Sequence, residues 1–142
     1  FEEADEKGGA KKDEIDDSWA WEELDDDQPT EIIYFDFNDA KIKPNQKHIV
    51  RYNADLAKLA CEDGAKVIIE GHSCLITRSQ IYNQALSQRR ANIVKKEFIK
   101  LGVPKKCLKA VGHGTAYVVT KAEGKEAQAP NRRVEIKFDY PK

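Results

Sequence analysis

The stretch EGHSCLITRSQIYNQALSQRRANIV, residues 70–94, leaves an apolar run, crosses a short polar segment and enters a predicted helix. We predict that this helix runs from about Ser79 to Leu101, because Gly102 and Pro104 follow directly and both residue types end helices. One stripe of the helix is apolar, which indicates that this face packs on a sheet; the stripe consists of Leu86, Val94, Phe98 and Leu101.

Two polar residues lie beside that apolar stripe. Asn83 and Arg90 are two turns apart, so they lie on nearly one line along the helix. An arginine beside a buried face is partly shielded from water and needs an acceptor. From the pattern alone we favour a carboxylate on a neighbouring loop, or an aliphatic stem that carries the guanidinium out to water.

Strands precede and follow this helix in the sequence. We interpret EIIYFDF (31–37), AKVIIEG (65–71), CLKAVGHG (107–114) and NRRVEIKFDY (131–140) as strands. A first helix begins at Pro44 and ends at Gly64, and its apolar face consists of Ile49, Tyr52, Leu56, Leu59 and Ala60. The order β-α-β-α-β-loop-β predicts an α+β fold, a two-layer sandwich of two main helices packed on a four-stranded mixed sheet.

The sequence also predicts two details of the sheet. The first strand, the first helix and the second strand predict a right-handed βαβ unit with parallel strands. The last strand alternates charged and apolar residues from Arg133 to Phe138, which predicts that one of its faces is solvated. The long segment between the third and last strands, residues 115–130, has no periodicity and is predicted to be irregular.

Charge divides the chain into two parts. Residues 1–30 contain thirteen acidic residues and three lysines, whereas residues 31–142 contain 12 acidic and 21 basic residues. We predict an acidic disordered tether in residues 1–30, with a small docking element around Trp19 and Trp21 as an alternative, and one domain in residues 31–142. A basic domain suits an anionic partner such as nucleic acid, an acidic polymer or cell wall. Because interleaved aromatics and a basic recognition helix are missing, we expect no nucleic acid as partner.

The sequence carries no signal for membrane insertion. No window approaches the roughly 18 apolar residues of a membrane span, and the first residues lack the basic and apolar regions of a secretion signal. We therefore expect a soluble chain, with any membrane anchor outside it.

The three cysteines permit at most one internal disulfide, which leaves one thiol over. Cys61, Cys74 and Cys107 match no CxxC metal pattern, and isolated cysteines are more often small core residues. A zinc set of Cys61, His72, Cys74 and His113 is conceivable, but its spacing is not specific. We therefore assign no metal from the sequence.

Several segments together resemble one known family. YNQALSQRRANIV (82–94) is similar to the N-x-x-L-S-x-x-R-A-x-x-V core of the OmpA-like peptidoglycan-binding domain. IIYFDFN, IIEGHS, GVPKKCLKAVGHG and NRRVEI stand around that core in the family's order, so the resemblance covers residues 31–140. YFDFN and the acidic tether look most like the peptidoglycan-associated lipoprotein (Pal) branch.

The resemblance implies noncovalent binding of peptidoglycan through the diaminopimelate residue of its stem peptide, with no catalysis and no cofactor. It implies a domain that tethers the outer membrane to the cell wall from the periplasmic side, with envelope proteins of the Tol-Pal type as candidate partners. Within the site, Arg90 would capture a carboxylate with its planar fork and Asn83 would both donate and accept. The implied ligand-binding residues are Asp36, Asn38, Asp39, His72, Ser73, Cys74, Asn83, Leu86, Arg90, Arg132 and Arg133.

One position departs from the family. The chain has GHSC where the family has GHTD, so Cys74 stands in place of the Asp that accepts from the ligand's ammonium group. A thiol is a weak donor and a poor acceptor. Cys74 could form a disulfide with another cysteine, leave a weaker site in which Asp36 or Asp39 supplies the charge, or act as a nucleophile near His72. The last alternative lacks an orienting residue. If the site is lost, the domain is instead a protein-interaction module of the envelope with weak or no wall binding.

Overall fold

The computed structural model describes residues 28–141, so most of the predicted tether lies outside the described residues. Neither helix in this range combines the length and the hydrophobicity that a membrane span requires. The elements in chain order are β1 (Ile33–Tyr34), α1 (Lys47–Glu62), β2 (Lys66–Gly71), α2 (Gln80–Lys100), β3 (Leu108–Gly112) and β4 (Arg133–Asp139). Short 3₁₀ turns lie at Pro44–Gln46, Lys105–Cys107 and Ala129–Asn131.

The four strands form one mixed sheet in the order β1-β4-β2-β3. The strands β2 and β3 are parallel, whereas β4 is antiparallel to both of its neighbours. The predicted sandwich of two helices on a mixed sheet is confirmed. The strands of the first βαβ unit are parallel as predicted, because β1 and β2 are both antiparallel to β4, but β4 lies between them, so they do not pair with each other. In that central position β4 buries Val134 and Ile136 on its helix-facing side.

The first helix packs through small residues. Its fully buried positions include Val50, Ala54 and Ala57. Of the predicted apolar face, Leu56 and Ala60 are also fully buried, whereas Ile49, Tyr52 and Leu59 are only partly buried. The observed buried face therefore overlaps the predicted one but is rotated towards the small residues. Small side chains allow the helix to lie close to the sheet, and the larger aliphatic residues then cover the edges of that contact.

The second helix begins after Ser79, whose hydroxyl accepts a hydrogen bond from the amide of Tyr82 at 3.1 Å. Leu101 ends it, so the predicted bounds are confirmed. The helix lies directly on the backbones of β2 and β3. A Cβ atom added to Gly71 would lie 1.9 Å from the Ser87 carbonyl oxygen, so only glycine permits this approach. The close contact places the middle of α2 beside the end of β2.

Cys61 at the end of α1 and Cys107 before β3 form a disulfide, with their Cα atoms 6.0 Å apart. Cys74 is a free and buried thiol. The alternative in which Cys74 forms the disulfide is therefore wrong, and the conceivable zinc set loses Cys61.

The alternation in β4 predicted that the sheet face opposite the helices is solvated, but one end of this face is covered. Arg133 is only 3% exposed, and it donates to the Tyr117 carbonyl oxygen at 2.9 Å. Tyr117 belongs to the irregular segment between β3 and β4, which covers this end of the face. Further along β4, Lys137 is exposed.

Candidate functional site

Arg90 of α2 is fully buried, and its guanidinium donates only to backbone carbonyl oxygens. Its Nε donates to Asp39 at 2.8 Å, one Nη donates to His72 at 2.8 Å, and the other Nη donates to Asp36 at 3.0 Å. The guanidinium carbon also lies 5.4 Å from the centre of the Phe35 ring. We call Arg90 and these three carbonyl groups the Arg90 site. It ties α2 to the loop after β1 and to the end of β2.

The loop after β1 is shaped to present those carbonyl groups. Asn38 has a left-handed backbone with φ 61°, and its side-chain oxygen accepts a hydrogen bond from the Tyr82 hydroxyl. The Asp39 carboxylate accepts from a backbone amide of the same loop at 3.0 Å. The Asp36 carboxylate is 62% exposed and lies 3.2 Å from the Lys43 ammonium. The loop therefore presents the backbone oxygens of Asp36 and Asp39 to Arg90, whereas neither carboxylate forms a salt bridge with its guanidinium.

The positive charge of Arg90 forms no direct salt bridge within residues 28–141. Among residues 28–141, no carboxylate oxygen lies within 4.0 Å of the Arg90 guanidinium, and three of its five N–H groups have protein acceptors. Burial lowers the pKa of Arg90 to about 10; Cys74, Tyr82 and the Asp39 carboxylate act to raise it, and Arg132 acts to lower it. The side chain remains charged at neutral pH. A buried guanidinium without a carboxylate partner is suited to an anionic ligand.

The two arginines that precede Val134 face different sides of the sheet. Arg132 Nε donates to the Phe35 carbonyl oxygen at 3.0 Å, which places it on the same side as Arg90. Arg133 Nε donates to the Glu135 carboxylate at 2.5 Å on the opposite face. The sequence left open which of the two faces a ligand. Only Arg132 lies beside the Arg90 site.

The comparisons with known proteins agree with this geometry. The sequence model of the OmpA family matches residues 34–132, which contain the whole Arg90 site. The chain belongs to the OmpA family. The family prediction is therefore confirmed.

Relatives of this OmpA-family chain occur among porins and lipoproteins. Outer membrane porin F of Pseudomonas fluorescens is 38% identical over 107 residues, which are 75% of this chain and 32% of the porin. The peptidoglycan-associated lipoprotein of Pseudomonas aeruginosa is 30% identical over 105 residues, which are 74% of this chain and 60% of the lipoprotein. The chain thus spans about a third of that porin and under two thirds of that lipoprotein.

A solved structure shows the same fold. The peptidoglycan-associated lipoprotein from Burkholderia pseudomallei superposes with a TM-score of 0.69 at 25% identity, over 76% of this chain and 89% of that one. The similarity confirms the fold of two helices packed on a four-stranded mixed sheet.

The OmpA-family segment GHSC is held by hydrogen bonds to α2. Ser73 Oγ donates to the Asn83 carbonyl oxygen at 3.0 Å, and the Asn83 amide donates to the Thr77 carbonyl oxygen at 2.7 Å. Cys74 is 6% exposed, and Leu86 is also buried. These residues therefore lie next to Arg90 as predicted, but the donor of Asn83 is used to hold the loop that contains Cys74.

The backbone and the side chain of His72 lie in different environments. Its carbonyl oxygen belongs to the Arg90 site, whereas its ring lies 5.3 Å from the His113 ring and 6.3 Å from the Tyr117 ring. The imidazole therefore does not contact the Arg90 site. The sequence interpretation missed Tyr82, whose hydroxyl donates to the Asn38 side chain. The available signal was its position three residues after Ser79, which places it in the first turn of α2.

Proposed function

We propose that this OmpA-family domain binds peptidoglycan noncovalently, with a carboxylate of the stem peptide at the Arg90 site. The observation that carries the proposal is the buried Arg90 guanidinium, which has no carboxylate partner within 4.0 Å in residues 28–141. The names of the two lipoproteins to which the chain is similar support peptidoglycan as the polymer. We propose the diaminopimelate residue as the bound part, because it presents a carboxylate beside an ammonium group.

Ligand binding requires a small movement of the loop after β1. Arg90 has no exposed surface, but two of its three acceptors, the carbonyl groups of Asp36 and Asp39, belong to a loop with exposed residues. A carboxylate that enters there replaces these two carbonyl groups and pairs with the fork in a bidentate manner. The hydrogen bond from Arg90 to the His72 carbonyl oxygen is buried and remains.

The ligand's ammonium group needs an acceptor that Cys74 cannot supply. Asp36 is the candidate replacement, because its carboxylate is 62% exposed and is held only by Lys43 at 3.2 Å. The Asp39 carboxylate is already used by the loop backbone. We propose that Asp36 turns from Lys43 to the ligand's ammonium group when the loop moves.

We propose binding without catalysis. A thiol nucleophile requires a base at hydrogen-bonding distance. The His72 ring is directed to His113 and Tyr117, whereas Cys74 is one of the groups that act on the charge of Arg90. The proposed cellular role is attachment of the outer membrane to the wall from its periplasmic side, through an anchor outside this chain. Tol-Pal-type proteins are the proposed partners.

The test is a titration of two peptides into variants at Cys74. One stem peptide contains diaminopimelate, and the other has the same carboxylate without the second ammonium group. Because Asp36 serves the ammonium group in this proposal, a further variant, Asp36→Asn, should bind the first peptide about tenfold more weakly, through loss of a charge-assisted contact of roughly 1–3 kcal/mol. Cys74→Asp should leave that affinity flat or lower, because its carboxylate is redundant and lies near another one. It should bind the second more weakly, because the new carboxylate competes for Arg90.

Cys74→Ser is the matched control and should leave both affinities within twofold of the original chain. Sedimentation with purified, nucleic-acid-free sacculi checks binding to the intact polymer, and melting curves check the fold. Absence of binding by the original chain and by Cys74→Asp, with both folded, would refute wall binding.

A second candidate function follows from Cys74 itself. The absence of the usual Asp at this position favours a protein-interaction module of the envelope that keeps the fold without strong wall binding. This function predicts that Cys74→Asp creates peptide binding that the original chain lacks.

A further inference from the structure

A separate polar cluster lies on the sheet face opposite the helices. Glu70 of β2 and Glu135 of β4 are direct cross-strand partners, and His72 follows Glu70 at the end of the same strand. We call these three residues the sheet-face cluster. Like charges directly opposite each other destabilise a sheet, so a pair of this kind requires a cation nearby.

Within residues 28–141, the imidazole of His72 has no hydrogen-bond partner. His72 is only 2% exposed, and neither Nδ1 nor Nε2 is hydrogen-bonded to a donor or acceptor in that range. Burial, together with the charge of Arg133, lowers the pKa of His72 to about 4, although Glu70 and Glu135 act to raise it. The ring is therefore neutral at physiological pH, and one of its nitrogen atoms offers a lone pair. A buried polar group without a partner is costly, which calls for an explanation.

The geometry of the cluster suits a metal ion. One ligand atom from each of its three residues lies within 4.8 Å of the other two. A zinc ion with bonds of about 2.0–2.2 Å holds its ligand atoms about 3.3–3.6 Å apart, so side-chain rotations of roughly 1 Å complete the site. A cavity of about 310 Å³ adjoins the cluster, and His113 also lines it. His113 Nε2 lies 3.4 Å from a Glu70 carboxylate oxygen but outside the group of three mutually close ligand atoms, so a larger side-chain rotation brings it in as a fourth ligand.

We propose that Glu70, His72 and Glu135 bind a divalent transition-metal cation of the Zn²⁺ type on the sheet face, with His113 as the fourth ligand. Two carboxylates and two imidazoles form a donor set that favours Zn²⁺ and its neighbours over Mg²⁺ or Ca²⁺, which prefer oxygen ligands alone. The ion links β2 to β4 and, through His113, to the end of β3. Its binding therefore stabilises the folded chain.

Lys137 is the competitor of the cation. Its ammonium lies 2.9 Å from one Glu70 oxygen and 3.5 Å from one Glu135 oxygen, and its side chain is 58% exposed. The other Glu135 oxygen is held by Arg133 at 2.5 Å. The cation can displace the exposed Lys137 ammonium into water. Arg133 remains bound to its Glu135 oxygen and orients that carboxylate. This competition distinguishes the cluster from an adventitious surface site, because removal of a positive charge should tighten metal binding.

The experiment is a Zn²⁺ titration of the full chain against a fluorescent chelator, followed by melting curves with and without Zn²⁺. We expect Glu70→Gln/Glu135→Gln to lose at least tenfold in Zn²⁺ affinity and to lose the Zn²⁺-dependent rise in melting temperature. Lys137→Gln should bind Zn²⁺ at least threefold more tightly. It leaves all four ligands in place, so it tests the proposal even if the double variant folds poorly.

His48→Ala is the matched control, because His48 is an exposed histidine on α1. It should leave the affinity within twofold, and a hundredfold excess of Mg²⁺ should not displace Zn²⁺. The acidic residues of the first 30 positions are present in every variant, so weak binding to them cancels in the comparison. The proposal is overturned if the original chain binds no Zn²⁺, or if the folded double variant or Lys137→Gln keeps the original affinity.

Discussion

Arg90→Ala is expected to destabilise the domain strongly, in addition to any loss of ligand binding. The guanidinium makes three charge-assisted hydrogen bonds to the carbonyl groups of Asp36, Asp39 and His72. A buried acceptor that loses such a partner costs about 1–3 kcal/mol. The bond to His72 is buried, so its loss counts nearly in full, whereas water can reach the carbonyl groups of the loop after β1 and reduce their cost.

These contributions give an estimate of the net effect. Loss of the donor should cost about 2–3 kcal/mol of unfolding free energy at the His72 carbonyl group and about 1 kcal/mol at each carbonyl group of the loop. Removal of a buried charge also removes its desolvation cost, which returns about 1–2 kcal/mol. The unfolding free energy should therefore fall by roughly 3 kcal/mol, a large part of the stability of a domain of this size.

The assay is urea unfolding followed by far-ultraviolet circular dichroism. Arg89→Ala is the matched control, because Arg89 is the exposed neighbour on the same helix and carries the same charge. We expect it to change the unfolding free energy by less than 0.5 kcal/mol, in the usual range of surface substitutions. Arg90→Lys should lose nearly as much stability as Arg90→Ala, because one ammonium cannot reach three separated carbonyl groups. A loss below about 1 kcal/mol for Arg90→Ala would refute the structural role of the three bonds.

Four other measurements test the fold. Replacing Cys61 and Cys107 with serine opens a link across 46 residues and should lower stability by about 2–4 kcal/mol in urea unfolding. Gly71→Ala should lower the melting temperature by more than 5 °C, because its Cβ meets the backbone of α2. A chain that starts at Gln28 should melt within 2 °C of the full chain if the tail is only a tether. With EDTA present, the unfolding free energy should fall by up to roughly 3 kcal/mol as the pH drops from about 6.5 to about 4, because in this range His72 gains a proton in the unfolded chain but not in the folded one. His72→Phe should remove this loss.

Local signals in the sequence were sufficient for the second helix and the overall fold class. Gly102 and Pro104 gave its carboxyl-terminal end, because the signals that stop a helix are adjacent to it in the chain. The alternation of Val134 and Ile136 with charged residues identified β4 as a strand. Strand order was not accessible in the same way, because the insertion of β4 between β1 and β2 depends on contacts between residues 100 positions apart.

The site was only partly predictable for a similar reason. The helical period placed Arg90 beside a buried face, which is where the structure has it. Its acceptors are backbone carbonyl groups, and every residue has one, so no residue type in the sequence indicates them. The pairing of Glu70 with Glu135 was equally hidden, because it depends on the register of two strands distant in sequence. Sequence patterns therefore identified the donors better than their partners.

The alternation of side chains along a strand explains how one small sheet serves two separate sites. Arg132 and Arg133 are neighbours in sequence, yet one contacts Phe35 beside the Arg90 site and the other contacts Glu135 on the opposite face. His72 spans both faces in a different way, with its carbonyl group bonded to Arg90 and its imidazole in the sheet-face cluster. The hydrogen bond from Arg90 to the His72 carbonyl group does not depend on the side chain. Substitution of His72 therefore removes the imidazole from the sheet-face cluster and leaves the Arg90 site intact so long as the backbone keeps its path. Substitution of Arg90 removes the support of that backbone. The two sites are therefore chemically independent but share one structural element, the end of β2.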